Sequence, residues 1–181
     1  MAWITKQSAT MKIERRDEPY LSPELLKTLK ETYLPRYEQK AGCVLPALHL
    51  IQHEYGWVPA QAMEEIAEFL ELEPADVMDT ATFYEEYWLK PKGEHVIAVC
   101  RSIACEFCGH EKITQAVMDK LGIEVGETTD DGKFTLIELE CLGSCGTAPV
   151  ALADEELCEN LTPEQMLAKI DELRTAGPAH H

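Results

Sequence analysis

Two cysteine pairs, Cys100-x4-Cys105 and Cys141-x3-Cys145, constrain this chain more than any other feature, because each stands directly behind a run of strand-forming residues. The first run is His95 to Val99 and the second Phe134 to Glu140, both rich in the side chains that suit a pleated backbone. Between them, Ile113, Val117 and Leu121 recur at helical spacing and Gly122 follows, so a helix is expected from His110 to Leu121. A strand, a crossover helix and a second strand form a parallel pair, and adjacent parallel strands deliver their following loops to one edge of the sheet. Loops 100–108 and 141–145 are therefore expected to meet.

The rest of the chain fits around this unit. Val150-Ala151-Leu152 and a piece near Leu157-Cys158 can pair as a hairpin across Asp154-Glu155. A last helix starts at the capping box of Thr162 and Gln165 and buries Met166, Ile170 and Leu173. The order β-α-β then β-β-α is the smallest thioredoxin-like arrangement. Upstream the pattern is helical. Ser22-Pro23 is an N-cap with proline at the first helical position, and the run it opens continues to Pro35. Further stripes follow at Val44, Leu48 and Ile51, at Met63, Ile66, Ala67 and Leu70, and at Val77, Ala81, Tyr84 and Trp88.

The expected class is thus α+β or α/β. A helical bundle over residues 1–90 has its first 21 residues as a flexible or extended arm. A thioredoxin-like domain follows over 91–176, after the change of pattern at Pro91-Lys92-Gly93, and 177–181 form a tail whose His180-His181 is set aside as a possible tag remnant.

Four thiolates are soft, anionic ligands, suited to zinc or iron-sulfur and poorly suited to magnesium or calcium. A 2Fe-2S rhomb takes two thiolates per iron, and intervals of three or four residues leave room for backbone N–H groups to turn toward sulfur. Structural zinc knuckles overlap this range, so a zinc-stabilised adaptor stays open, although disfavoured. Cys100, Cys105 and Cys108 also fit the plant-ferredoxin spacing C-x4-C-x2-C. That reading leaves Cys145 unexplained, and the strand-helix-strand order selects Cys100, Cys105, Cys141 and Cys145. Cys105-x-x-Cys108 as a redox dithiol would leave Cys100, Cys141 and Cys145 without a role. Cys43 and Cys158 read as small buried hydrophobes. His49 and His53 lie four apart on a helix but lack a ligating partner. Trp57, Phe83, Tyr84, Tyr87 and Trp88 read mostly as core, with Phe83 to Trp88 the candidate partner surface.

Composition narrows the setting. Seven cysteines in 181 residues are too few for a secreted disulfide scaffold. A net charge of −17 opposes nucleic acid and anionic lipid as partners. The apolar run Val96 to Cys100 is far short of a bilayer span, and the amino terminus has no signal-like apolar core, so a cytoplasmic protein is expected. No G-x-G-x-x-G turn occurs among the ten glycines, so no dinucleotide site and no catalytic residue are expected on this chain.

With these motifs in place, the chain resembles the thioredoxin-like 2Fe-2S component, or E subunit, of bacterial NADH-quinone oxidoreductase, the respiratory complex I. The resemblance rests on Gly56-Trp57-Val58-Pro59, on Ala81-Thr82-Phe83-Tyr84, on Cys100-x4-Cys105, and above all on Glu140-Cys141-Leu142-Gly143-Ser144-Cys145-Gly146-Thr147-Ala148-Pro149-Val150. It implies one 2Fe-2S cluster on Cys100, Cys105, Cys141 and Cys145, with Cys108 a departure that is not a ligand. It further implies a helical domain docked on the subunit that binds FMN and NADH, single electrons entering from that flavin, and a place in a complex peripheral to the inner membrane. Similar subunits serve NAD-linked hydrogenases and formate dehydrogenases.

Overall fold

The computed structural model describes residues 15–175; the expectations for residues 1–14 and for the tail, including His180 and His181, fall outside them. The chain divides into two compact units, the first ending at Pro91 and the second beginning at Lys92. Among the described residues no helix is long and apolar enough to cross a membrane.

The first unit is built from α1 (Pro23–Thr28), α2 (Val44–Tyr55), α3 (Ala60–Leu70) and α4 (Pro74–Phe83), with short π and 3-10 turns between α1 and α2. Ser22 caps α1 by accepting the Leu25 amide at 3.2 Å, ahead of Pro23 at the first helical position. The helical path runs on past Pro35 to Arg36 through a π turn and a 3-10 turn. Leu29, Leu48, Ile51, Ile66 and Val77 are fully buried in one core with Cys43, as the stripes require.

Residues 15–21 are held in place. Arg16 lies 3.7 Å over the Tyr20 ring and donates to the Tyr55 hydroxyl at 3.1 Å, and the Leu21 amide donates to Glu65 at 2.9 Å. The stripe expected to run through Tyr84 and Trp88 stops early, because α4 ends at Phe83 and Tyr84 turns to extended backbone. Gln52 competes for the chain there. Its amide donates to the Glu86 carbonyl at 2.8 Å and accepts the Trp88 amide at 2.7 Å, while Val58 N–H donates to the Trp88 carbonyl at 2.7 Å. Three tertiary hydrogen bonds replace those that further helix would have made.

The second unit is a four-stranded sheet in the order β2-β1-β3-β4, formed by β1 (His95–Cys100), β2 (Phe134–Leu139), β3 (Ala151–Ala153) and β4 (Glu156–Cys158). β1 runs parallel to β2 and antiparallel to β3, and β3 and β4 make the expected hairpin. All six residues of β1 are buried, which suits a central strand. One segment differs in detail from expectation: the stretch after β1 is not all loop, since Ile103–Phe107 form a short helix, α5. Helix α6 (His110–Leu121) ends at Gly122, whose φ of 69° is easily adopted only without a Cβ. Ile113 and Val117 of α6 share a core with Ile97, Val99, Phe134 and Leu136 of the strands, and with Met166 and Ile170 of α7 (Pro163–Thr175). Both halves of the α7 capping box form: the Gln165 side chain accepts the Thr162 amide at 2.8 Å, and Thr162 Oγ1 accepts the Gln165 amide at 3.3 Å. At the entrance to β1, a Cβ on Gly93 would stand 2.8 Å from the Phe134 carbonyl carbon, so the close approach of the two backbones requires glycine. The result is the mixed helix-and-sheet fold that the sequence pattern calls for.

Candidate metal centre

Cys100 is the last residue of β1, and its surroundings are fixed by ladder bonds on both sides. Its own amide donates to the Val150 carbonyl at 3.1 Å, and the next amide, of Arg101, donates to Leu139 at the end of β2 at 2.9 Å. Cys105 follows one turn later inside α5, where the Glu106 amide reaches back to the Ser102 carbonyl at 2.8 Å. Cys100 and Cys105 are 2% and 1% exposed and form a small buried cluster with Val150, against which Leu142 and Ala148 pack.

Burial pushes the Cys105 thiol up to about 11; the Val150 backbone amide acts in the opposite direction, and the neighbouring Cys100 and Cys145 thiols add to the rise. Cys100 is within hydrogen-bonding reach of Cys105, and Cys145 is close enough to act on it electrostatically.

Cys141 and Cys145 are exposed. The Gly143 amide donates to Cys141 Sγ at 3.4 Å from a backbone with φ of 75°, the kind of N–H-to-sulfur contact that stabilises a thiolate. Cys145 opens a 3-10 turn, Cys145–Thr147, and a cis peptide joins Ala148 to Pro149 just beyond it. Glu159 holds this turn. Its Oε1 lies 2.8 Å from Ser144 Oγ and 2.6 Å from Thr147 Oγ1, and the two hydroxyls are themselves 2.7 Å apart. Those hydroxyls, Thr147 first, hold the Glu159 carboxyl below its usual range.

The remaining cysteines differ in their surroundings. Cys43 is buried in the helical unit, Cys158 is half-buried on β4 and Cys108 is exposed at the end of α5. A dithiol nucleophile needs an accessible thiol with a depressed pKa, whereas Cys105 is buried with its pKa raised. His49 and His53 are both exposed, and the His49 ring centroid is 5.0 Å from that of Tyr87.

Among the described residues no group of three or more His, Cys, Asp or Glu side chains is gathered closely enough to hold a single metal ion. The chemistry of the donor set still fits a two-iron cluster. The four thiolates would supply two to each iron, two of the four cysteines being buried and two exposed, and a cationic core would take the place of the thiol protons.

Several features of the second unit carry no sequence signal. Arg101 forms an ion pair with Glu140 and lies 4.0 Å from Glu138, which also accepts Thr114 Oγ1 at 3.0 Å. The side chain of His110, 4% exposed, lies with Nδ1 3.2 Å from Glu106. Ile103 and Phe107, one turn apart on α5, are 72% and 86% exposed. Each forgoes about 1.5–3 kcal/mol of burial free energy. Within the aromatic stretch expected to be a partner surface, in the helical unit, Phe83 is 78% exposed and packs edge-on against Tyr84, with ring centroids 5.1 Å apart.

Comparison with known proteins follows the same lines. Residues 30–174 match the family model of thioredoxin-like [2Fe-2S] ferredoxins. The E subunit of NADH-quinone oxidoreductase from Rickettsia bellii is 42% identical over 150 residues, covering 81% of this chain and 90% of the relative. The protein of the same name from Escherichia coli (strain K12) is 40% identical over 134 residues, covering 74% of this chain and 81% of the relative. Among solved structures, a chain of an NAD+-reducing [NiFe]-hydrogenase in the H2-reduced state superposes with a TM-score of 0.67 at 23% identity. The match covers 78% of this chain but only 24% of that one, and at this identity it is a likeness of fold.

Proposed function

Because the chain belongs to the thioredoxin-like [2Fe-2S] ferredoxin family, in the line of the NADH-quinone oxidoreductase E subunits, we propose that it is the electron-transfer component of such a complex. In this reading Cys100, Cys105, Cys141 and Cys145 hold one 2Fe-2S cluster beside the flavin of the subunit that binds FMN and NADH. The observation that carries it is the register of β1 and β2, in which Cys100 is opposite Leu139, so that both cysteine loops leave from one edge of the sheet.

The cluster, once bound, would supply one-electron redox chemistry. The chain's own residues do the rest. Val150, Leu142 and Ala148 keep water from Cys100 and Cys105, which protects that side of the site. The amides of Gly143 and Val150 direct N–H dipoles at sulfur and so offset the negative charge of the ligand set. Cys141 and Cys145 form the exposed side, where a redox partner can approach. Phe83 and Tyr84 are the proposed anchor for the flavoprotein. Hydride chemistry is assigned to that partner, since the sequence has no dinucleotide-binding turn. The complex, rather than any segment of this chain, would bring it to the inner membrane.

Titration of the purified chain with NADH under argon tests the electron route. The visible spectrum should stay oxidised until the flavoprotein is added and then bleach; full bleaching by NADH alone would place a nucleotide site on this chain and contradict the reading.

A further inference from the structure

The Cys141–Cys145 loop lies at the surface, yet a ligand must hold its sulfur still. Cys145 is flanked by Ser144 and, two residues on, by Thr147, and both hydroxyls converge on one oxygen of Glu159 at 2.8 and 2.6 Å. Thr147 also closes the turn from within, its amide donating to the Ser144 carbonyl at 3.1 Å. The Asn160 amide next to Glu159 donates to the Thr147 carbonyl at 2.7 Å. The turn bearing Cys145 is thereby tied to the segment just after β4 by side chain and backbone together.

Proton counting sharpens the role of the carboxylate. Ser144 and Thr147 have one hydroxyl proton each, while three close oxygen pairs join the two hydroxyls and Glu159 Oε1. Both protons can point at Oε1, or one hydroxyl can donate to the other while the second donates to Oε1; the Ser144 carbonyl, 3.2 Å from Thr147 Oγ1, is a more distant alternative acceptor than Oε1 at 2.6 Å. An acceptor with no proton of its own ends the network in both arrangements, and a carboxylate is such an acceptor. Charge-assisted hydrogen bonds of this kind are roughly twice as strong as neutral ones, which suits a tether at the surface.

We propose that Glu159 is a positioning residue for the cluster, acting through Ser144 and Thr147 to fix the turn that presents Cys145. The proposal rests on the reading of Cys145 as a ligand. Groups that orient metal ligands in this way typically contribute about 10–100-fold to metal retention, so Glu159→Ala should release iron to a chelator about 10-fold faster or more than the parent chain. Its reduced EPR spectrum should also show altered g values. Glu159→Gln, whose amide oxygen accepts the same hydrogen bonds, should stay close to the parent in both.

The two variants separate position from charge. If Glu159 acted only as a nearby negative charge, Gln and Ala would raise the midpoint potential equally and leave iron release unchanged, and the proposal would be overturned. It would also be overturned if Glu159→Ala matched the parent in EPR and release rate. Cys145→Ser, measured alongside, tests the underlying reading: an intact parental signal in that variant removes Cys145 from the ligand set whatever Glu159 does.

Discussion

Cys100 stands opposite Leu139 at the last register position of the parallel β1–β2 ladder, and the Arg101 amide locks that end by donating to the Leu139 carbonyl at 2.9 Å. The chain therefore leaves both strands at the same point and in the same direction, so the segments that carry Cys105 and Cys141 begin side by side.

The proposed ligand set separates the cysteines into two groups by mutation. Serine at position 100, 105, 141 or 145 should abolish or alter the reduced EPR signal, whereas Cys43→Ser, Cys108→Ser and Cys158→Ser should keep it. Cys108 is the informative control, being only three residues from Cys105 but exposed beyond the end of α5. Signal lost in Cys108→Ser and kept in Cys145→Ser would instead establish the C-x4-C-x2-C ligand set.

The aromatic pair at the end of α4 gives the docking prediction. Phe83 is 78% and Tyr84 45% exposed, and exposed aromatics in contact are typical interface anchors. The double variant Phe83→Ala/Tyr84→Ala should weaken binding to the flavoprotein by about 2 kcal/mol, roughly 30-fold in Kd, with the visible spectrum unchanged. Equal affinity of variant and parent by calorimetry would remove this surface from the interface.

Alkaline stability should depend on Tyr87. Burial, and then the charges of Glu86 and Tyr84, push its phenol up to about 12, and its hydroxyl donates to the Leu45 carbonyl at 3.1 Å. An unfolded tyrosine titrates near 10, so between these values the unfolded chain has lost a proton that the native chain keeps. Native stability is whole below about pH 10 and declines as pH rises toward 12, by at most about 1.4 kcal/mol per unit. In denaturant melts of the chain, Tyr87→Phe should show a shallower loss over that interval than the parent. Identical slopes would show that the phenol is not held neutral by the fold.

Much of the fold was legible because local signals agreed with the tertiary result. α6 spans His110–Leu121 as its apolar spacing and Gly122 dictate, and the hairpin turns across Asp154 as expected, with Asp154 at φ 54°. What escaped the sequence depends on contacts between distant residues. Periodicity alone carries α4 on through Tyr84 and Trp88, whereas hydrogen bonds from the Gln52 side chain, 36 residues before Trp88, and from the Val58 amide hold the chain off the helical path. Glu159 follows Ser144 by 15 positions, so nothing in the Cys-Leu-Gly-Ser-Cys motif points to it. Ile103 and Phe107 lie inside a segment that the sequence reading treats as loop, and their exposure, 72% and 86%, emerges only once α5 forms.

The most direct test of the central claim is metal and sulfide analysis of anaerobically purified protein, with spectra taken before and after dithionite. About two iron and about two acid-labile sulfide per chain, with a visible absorption that bleaches as a one-electron EPR signal appears, is the expected result. A colourless protein with about one zinc per chain and no response to dithionite would contradict it.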